Sequence, residues 1–206
     1  MPIILNHSSH QDQVALWKII DGEFDNSVTG VKVADGLNIM QNQRIRQKRA
    51  CLALVSLLAG AGKDIYYDEN GKPHFVNDRR KLSFTHSGEY AAMMLSEKFA
   101  GIDFEKIRPK VMNIVHKFLN EPELNSLHPV DTIEHAHVYW GAKEALYKVY
   151  GKQQLVFKEH ILLEPFDYLN DKGYFFAHLE TPSIKKKFKL FYEKMFGFMM
   201  VYVVND

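Results

Sequence analysis

Two short segments constrain this chain most, because each places charged side chains in an otherwise apolar stretch. The first runs from Gly101 to Glu105, and the second from Trp140 to Lys148. If the first is a β-strand, Asp103 and Glu105 point to the same face, since side chains alternate along a strand. If the second is an α-helix, Glu144 and Lys148 stack one turn apart on one side of it. A fold that brings this strand and this helix together therefore gathers three carboxylates and one ammonium group.

Each pair also has a plain structural explanation. An Asp-x-Glu pair on a strand commonly faces water, and a Glu followed four residues later by Lys commonly stabilises a helix. The flanking residues Ile102 and Phe104 instead predict a partly buried strand, where two carboxylates repel each other unless a cation neutralises them. Three carboxylates offer the oxygen ligands that magnesium prefers, and a lysine suits a phosphate. Magnesium and lysine together are typical of enzymes that transfer phosphoryl-linked groups.

Four motifs, read in order along the chain, are similar to the signature of the 4'-phosphopantetheinyl transferases, specifically their long, single-chain type. The motifs are Gly71-Lys72-Pro73, Thr85-His86-Ser87, Gly101-Ile102-Asp103-Phe104-Glu105, and the segment 140–148 from Trp140 to Lys148. The resemblance implies an α+β fold with two similar halves related by a pseudo-two-fold, residues 1–102 and 103–206. Two features depart from the family pattern. Gly141 replaces a small hydroxyl or thiol residue, which predicts looser helix packing, and the spacer before the last motif is short, which predicts a smaller carrier-facing loop.

The resemblance implies a magnesium-dependent transferase, with Mn²⁺ as an alternative ion. Such an enzyme moves 4'-phosphopantetheine from coenzyme A to a serine of an apo acyl or peptidyl carrier protein and releases 3',5'-ADP. By resemblance, Asp103, Glu105 and Glu144 hold the metal, and Glu144 and Lys148 act in catalysis. A carrier-facing surface is expected around residues 112–127. The coenzyme would be held by six further side chains: Arg44, Arg49, Lys72, Thr85, His86 and Lys143.

Two other hypotheses remain open on the sequence. A non-catalytic module that binds coenzyme A or a carrier protein could use the same scaffold, although such a relic would be expected to lose a carboxylate or Lys148. A magnesium-dependent phosphohydrolase on another fold would explain the carboxylates but not the other two motifs. A serine nucleophile with a neighbouring histidine base, Ser87 with His86, is disfavoured because adjacent strand residues point to opposite faces.

Composition is ordinary for a globular protein of 206 residues, with 46% hydrophobic and 25% charged residues. The net charge of +1 offers no overall attraction to nucleic acid or to an anionic membrane. Cys51 is the single cysteine, which rules out an internal disulfide, and its apolar surroundings predict a buried, inert thiol. We see no secretory signal and no apolar run long enough to span a membrane, so we expect a cytoplasmic protein. The two-half architecture that the resemblance implies leads us to expect a monomer.

Residue patterns predict helices at 37–59 and 132–150, each followed by glycine, and a hairpin at 65–76 with Asn70-Gly71 at its turn. They also predict a helix from Pro109 to Leu119 and a turn at 171–173. Within the 132–150 helix, His135 and His137 lie about 200° apart around the axis and cannot share a zinc ion, so we expect them on the surface.

Overall fold

The computed structural model describes residues 2–5, 12–20, 39–152 and 154–205. These residues form an α+β protein, as the sequence predicts. The strands are β1 (Pro2–Leu5), β2 (Asp12–Lys18), β3 (Ile65–Tyr67), β4 (Pro73–Phe75), β5 (Lys81–Ser87), β6 (Tyr90–Ser96), β7 (Ile102–Lys106), β8 (Ile161–Leu163), β9 (Lys172–Thr181), β10 (Ile184–Met195) and β11 (Phe198–Val204). The helices are α1 (Ile39–Ala59), α2 (Val115–Phe118), α3 (Glu121–Asn125), α4 (Thr132–Tyr150) and α5 (Phe157–His160), with a 3₁₀ helix at Pro109–Asn113.

Two antiparallel sheets share part of their connectivity. The first has the strand order β1-β2-β6-β5, and the second has the order β7-β11-β10-β9-β8. In the first sheet β2 pairs with β6, and in the second β7 pairs with β11. In each half, the strand before the long helix therefore pairs with the last strand of that half. A long helix lies between the paired strands in sequence, α1 in the first half and α4 in the second. This repeated connectivity agrees with two similar halves, whereas the boundary between residues 102 and 103 stays a prediction.

The two sheets pack face to face, and the long helices cover their outer faces. Strand β6 shows the arrangement, because its residues alternate between two apolar clusters. Tyr90, Ala92 and Met94 join the cluster between the sheets, whereas the residues between them join the cluster under α1. Both faces of β6 are therefore covered, which explains why its sequence is a continuous apolar run rather than an alternating one.

Helix α4 lies unusually close to the second half's sheet because two glycines leave room for it. A Cβ added at Gly101 would lie 2.3 Å from the carbonyl oxygen of Ala145. A Cβ added at Gly141 would lie 2.6 Å from Cγ2 of Val201, which pairs with Asp103 across the strands. The expectation that Gly141 loosens helix packing is therefore wrong: the missing side chain lets α4 approach β11, the strand that pairs with the one carrying Asp103.

Several local predictions can be compared with the structure. The described part of the 37–59 helix, the 65–76 hairpin and the 132–150 helix are confirmed. The helix predicted from Pro109 to Leu119 is wrong as one element, because Ile114 leaves helical geometry with φ −119° and splits it. The turn predicted at 171–173 is also wrong in part, since β9 begins at Lys172. None of the described helices has the length and apolarity needed to cross a membrane.

The prediction that His135 and His137 are surface residues is wrong. Their exposed fractions are 1% and 7%. His135 accepts a hydrogen bond through Nδ1 from the backbone N–H of His128 at 3.0 Å. The Nε2 atom of His137 likewise accepts one from the backbone N–H of Arg108, also at 3.0 Å. Both rings pack as core side chains, because α4 is covered on most of its circumference.

Candidate active site

A cavity of about 890 Å³ opens between the β3–β4 hairpin, helices α1 and α4, and strands β5 and β7. It is large enough for a ligand of coenzyme size to be partly enclosed. Seven of the ten predicted site residues line it: Lys72, Thr85, His86, Asp103, Glu105, Glu144 and Lys148. The other three, Arg44, Arg49 and Lys143, do not belong to its lining. These seven residues come from four separate elements: the β3–β4 hairpin, β5, β7 and α4.

Hydroxyl groups on β5 hold the exposed edge of β7. Both are edge strands of their sheets, so β7 has backbone amides that no neighbouring strand bonds. Side chains alternate along β5, which places every second residue toward β7. Three hydroxyls accept hydrogen bonds from three alternate amides: Ser83 from Ile102 at 3.3 Å, Thr85 from Phe104 at 3.2 Å, and Ser87 from Lys106 at 3.4 Å. The two halves are joined by side-chain hydrogen bonds at the strand that carries the carboxylates.

Two of these three hydroxyls also donate to the carboxylates of β7. Thr85 donates to Oδ1 of Asp103 at 3.4 Å, and Ser87 donates to Oε2 of Glu105 at 3.1 Å. The ammonium group of Lys148 lies 2.8 Å from the same Oδ1 atom and 2.8 Å from the carbonyl oxygen of Ile102. The second oxygen of Asp103, Oδ2, is buried and has no hydrogen-bond partner among the described atoms. Asp103 thus has one oxygen tied to the protein and one left open.

The pKa values of two of the three carboxyl groups are raised. Burial, and after it the charges of Asp103 and Glu105, raise the pKa of Glu144 to about 7 against the opposing charge of Lys148. Burial, followed by the charge of Asp103, also raises the pKa of Glu105, against the hydrogen bond from Ser87. A carboxyl group with a pKa near 7 is suited to accept a proton at neutral pH.

The donor chemistry of this cluster fits a hard divalent cation. Carboxylate oxygens are the ligands that Mg²⁺ and Mn²⁺ prefer, and an open, buried carboxylate oxygen gains most from a cation. In the described ranges, however, no three His, Cys, Asp or Glu side chains are already gathered around a metal position. Asp103, Glu105 and Glu144 therefore supply suitable ligand atoms that are not gathered around one metal position in this structure.

Several basic side chains also line the cavity and form what we call its cationic wall: Lys48, Lys72 and His86. The ammonium group of Lys72 donates to the carbonyl oxygen of Val149 at 2.6 Å, at the end of α4, and its side chain packs over Gly151. Burial lowers the pKa of His86, and the positive charges of Lys148, Arg44 and Lys48 lower it further. These neighbours favour a neutral imidazole, which can still donate one N–H group to an anion.

Lys48 also lines the cavity, although it is not one of the ten predicted site residues. It lies on α1 with Cys51 and Leu52, which also line the cavity. Residues three and four apart share one helix face, so this spacing could have identified Lys48 instead of Arg49. The prediction of a buried, inert thiol at Cys51 is confirmed, since burial raises its pKa to about 12. Arg44 is exposed on the same helix, and Arg49 is buried.

Lys143 lies on another face of α4, inside the protein. Its side chain is fully buried, and its ammonium group contacts both carboxylate oxygens of Glu123, at 2.8 and 2.9 Å. No part of the side chain reaches the cavity or the surface. The contact to the coenzyme predicted for Lys143 is therefore corrected: the structure uses this ammonium group internally.

Comparison with known proteins agrees with this geometry. The family model of the 4'-phosphopantetheinyl transferase superfamily matches residues 100–197, the stretch that contains β7, α4 and all three carboxylates. This segment, 98 of the 206 residues, is similar to that superfamily. A 4'-phosphopantetheinyl transferase of Bacillus subtilis is 29% identical over 96 residues, which cover 45% of this chain and 43% of the relative. A putative 4'-phosphopantetheinyl transferase of Haemophilus influenzae is 30% identical over 132 residues, which cover 57% of this chain and 55% of the relative. The chain thus spans about half the length of these curated relatives.

Proposed function

We propose that this protein transfers 4'-phosphopantetheine from coenzyme A to a serine of an apo acyl or peptidyl carrier protein. The observation that carries the proposal is the meeting of Asp103, Glu105, Glu144 and Lys148 in one cavity, within the segment that matches the superfamily. Both curated relatives carry the name of this transferase activity. We also assign the chain to the long, single-chain type, which the repeated connectivity of its two halves supports.

The proposed reaction is a displacement at phosphorus. The serine oxygen of the carrier forms a bond to the phosphorus that bears the pantetheine arm. The bond from that phosphorus to the bridging oxygen breaks, and 3',5'-ADP leaves with the electron pair. Glu144 accepts the serine proton, directly or through a water molecule. The protein contributes positioning and electrostatics, as is general for this class of transfer.

Asp103, Glu105 and Glu144 would hold Mg²⁺, with Mn²⁺ as the alternative, and Oδ2 of Asp103 is the oxygen with no other partner among the described residues. When bound, the ion offsets negative charge on the pyrophosphate oxygens. Lys148 uses two of its three N–H donors, on Asp103 and on the carbonyl of Ile102. The third remains for a phosphate oxygen, where a positive charge stabilises the transition state.

The phosphates of coenzyme A would lie along the cationic wall. Lys72 has two N–H donors beyond the one directed at Val149, and it fits the 3'-phosphate by resemblance to the family. His86 would donate to a second phosphate oxygen, with Lys48 and Arg44 contributing positive charge nearby. Thr85 acts indirectly, because its hydroxyl is engaged with β7 and Asp103. We propose no coenzyme contact for Arg49 or Lys143.

The carrier protein would approach over the segment that follows Glu105. Four cationic side chains along this segment are exposed, and no acidic residue lies between them in the sequence. They are Lys106, Arg108, Lys110 and Lys117. Because carriers of the family are typically acidic around the modified serine, a local basic surface compensates for the small net charge of the chain. We also propose that the protein is a cytoplasmic monomer.

The decisive experiment is an intact-mass assay of apo carrier proteins incubated with this protein, coenzyme A and magnesium. The proposal requires a mass gain of one phosphopantetheine with the native chain and none with Asp103→Ala. Asp167→Ala, which removes an exposed carboxylate far along the sequence from β7, is the matched control and should retain full activity. Coenzyme A binding without transfer to any carrier would favour the binding-module hypothesis. Release of 3',5'-ADP without carrier would instead indicate a hydrolase.

A further inference from the structure

Lys143 and Glu123 form a buried ion pair whose polar atoms are all engaged. The carboxylate of Glu123 is 3% exposed and the side chain of Lys143 is fully buried. Beyond its two contacts with Glu123, the ammonium group donates to the carbonyl oxygens of Ile161 at 2.6 Å and Phe157 at 3.2 Å. A buried ion pair is stable only when such additional hydrogen bonds satisfy the remaining donors and acceptors. This pair meets that condition.

Glu123 is itself held from three directions. Its Oε1 atom accepts from the backbone N–H of Leu163 at 3.0 Å. Its Oε2 atom accepts from the backbone N–H of Asn120 at 3.1 Å, and the Asn120 side chain accepts from the backbone N–H of Glu123 at 2.9 Å. This reciprocal pair is a capping box at the start of α3. The carboxylate is therefore a fixed point in the second half, shared by α3 and β8.

Near the C-terminal end of α4, Lys148 bonds directly to β7, since it donates to Asp103 and to the carbonyl oxygen of Ile102. The middle of the helix meets its sheet differently. At Gly101 and Gly141 the helix and the sheet meet through small, apolar surfaces. Dispersion contacts of this kind set the distance between helix and sheet, but they resist sliding and rotation weakly. A cation with four acceptors in fixed positions resists both. Lys143 directly precedes Glu144 on α4, so any displacement at one residue is passed to the other.

We propose that the Lys143–Glu123 pair is a positioning device that fixes the rotation and axial position of α4, and thereby the placement of Glu144 and Lys148 against β7. The proposal rests on the proposed transferase function for its kinetic consequence only. It also links α3, which lies within the expected carrier-facing segment 112–127, to the helix that carries the proposed base. Lys143 is thus a positioning residue and not a catalytic one.

The test compares Lys143→Met, Glu123→Asp and the double variant Glu123→Gln/Lys143→Met with the native chain. Lys143→Met should melt at a markedly lower temperature, because it leaves the charge of Glu123 buried without a partner. The double variant removes both charges and should recover most of that loss. Its kcat for transfer should still fall on the order of 10- to 100-fold, because small displacements of reacting groups are costly. Its KM for coenzyme A should change less than its kcat, since Lys72 and His86, two of the three proposed phosphate contacts, lie outside α4 and only Lys148 lies on it.

A second readout does not depend on activity. Trp140 lies on α4 one turn before Glu144, lines the cavity and packs against Phe118 with ring centroids 5.1 Å apart. In a Trp17→Phe background it is the sole tryptophan. We expect acrylamide quenching of Trp140 to change in the double variant and, to a smaller extent, in Glu123→Asp, which keeps the charges but shortens the acid. The same experiment remains valid if the native chain transfers nothing.

The matched control is Glu164→Gln/Lys187→Met, which removes a partly exposed ion pair of 2.7 Å on the second sheet. It should leave kcat and Trp140 quenching unchanged. Native kcat together with native quenching in the charge-free double variant would overturn the proposal and reduce the pair to a folding element. Should that variant fail to fold, Glu123→Asp decides in the same way: unchanged kcat and quenching overturn the proposal, and changes in both support it.

Discussion

The ammonium nitrogen of Lys148 lies 2.8 Å from Oδ1 of Asp103, and this contact divides the two carboxylate oxygens between different tasks. Oδ1 also receives the hydroxyl of Thr85, so it is committed to the protein. Oδ2 is buried and has no hydrogen-bond partner in the described part of the chain. A buried carboxylate in this state is unfavourable by itself and is stabilised when a cation binds the open oxygen.

Replacement of Lys148 by Met should therefore make stability depend on magnesium more strongly. The Lys148 side chain is 26% exposed, so the loss should lie between that of a surface pair and that of a buried pair, about 1 to 3 kcal/mol in the free energy of unfolding. Added Mg²⁺ should restore part of this loss, since the ion can neutralise Asp103 in place of the ammonium group. Urea unfolding with EDTA or with Mg²⁺ measures both quantities. Equal stability of the two proteins in EDTA would contradict the prediction.

The raised pKa of Glu144 predicts a pH dependence of stability in the metal-free protein. Folding raises this pKa from 4.5 to about 7, mainly through burial, so the folded protein holds the proton more tightly than the unfolded chain. The resulting stabilisation is fully present below pH 4.5 and is lost as pH rises through about 7. Urea midpoints measured in EDTA across this interval should fall with pH in the native protein.

Glu144→Gln isolates this contribution, because Glu105 also has a raised pKa and acts in the same direction. The slope of stability against pH should become shallower in the variant, while the remaining slope reports Glu105 and other groups. An identical slope in both proteins would show that Glu144 titrates near its ordinary value. With saturating Mg²⁺ the difference between the two proteins should shrink, because an ion favours the charged carboxylate.

The sequence predicted the residues of the cavity better than the directions of the charged side chains on α1 and α4. Alternation along β7 and the helical spacing of Glu144 and Lys148 are local, so they could be read directly from the chain. The position of Lys143 is equally local, but the face it occupies depends on Glu123, a distant residue in sequence. The burial of His135 was missed for the same reason: segments that return from elsewhere in the chain cover α4.

The motif Thr85-His86-Ser87 also had a use that the sequence did not reveal. The family resemblance predicts that this motif contacts the coenzyme. In the structure its two hydroxyls hold the amides and carboxylates of β7. The packing of one face of β5 against the edge strand β7 of the other sheet is a tertiary feature, and no local pattern encodes it. The alternation of hydroxyl residues from Ser83 to Ser87 was the available signal.

Removal of the Thr85 hydroxyl tests this arrangement. Thr85→Val keeps the shape of the side chain but leaves the buried N–H of Phe104 without its acceptor, which should cost about 1 to 3 kcal/mol in the free energy of unfolding. Mn²⁺ affinity should also fall, because Asp103 loses a hydrogen bond that orients its carboxylate. Ser56→Ala is the control: it removes an exposed hydroxyl bonded to Leu52 and should change stability by less than about 0.5 kcal/mol. Calorimetric titration with Mn²⁺ and urea unfolding provide the two measurements. Native stability and native affinity in Thr85→Val would show that β7 is held by its pairing with β11 alone.

Gly141→Ala should destabilise the protein, although alanine in an open helix position stabilises by up to about 1 kcal/mol relative to glycine. The added methyl group would lie 2.6 Å from Cγ2 of Val201, on a strand whose backbone cannot easily retreat. Overpacking of this kind costs about 1 to 3 kcal/mol, which exceeds the gain in helix propensity. The double variant Gly141→Ala/Val201→Ala exchanges the clash for free volume and should recover part of the loss relative to Val201→Ala alone.

Because the same Cβ would lie 3.8 Å from Oδ2 of Asp103, Gly141→Ser in the Val201→Ala background can also bring a hydroxyl within reach of the open oxygen. That variant should be more stable in EDTA and bind Mn²⁺ more weakly than its alanine counterpart, and urea unfolding with Mn²⁺ titration distinguishes the two. Stabilisation by Gly141→Ala in the native background would mean that α4 is free to move away from β11.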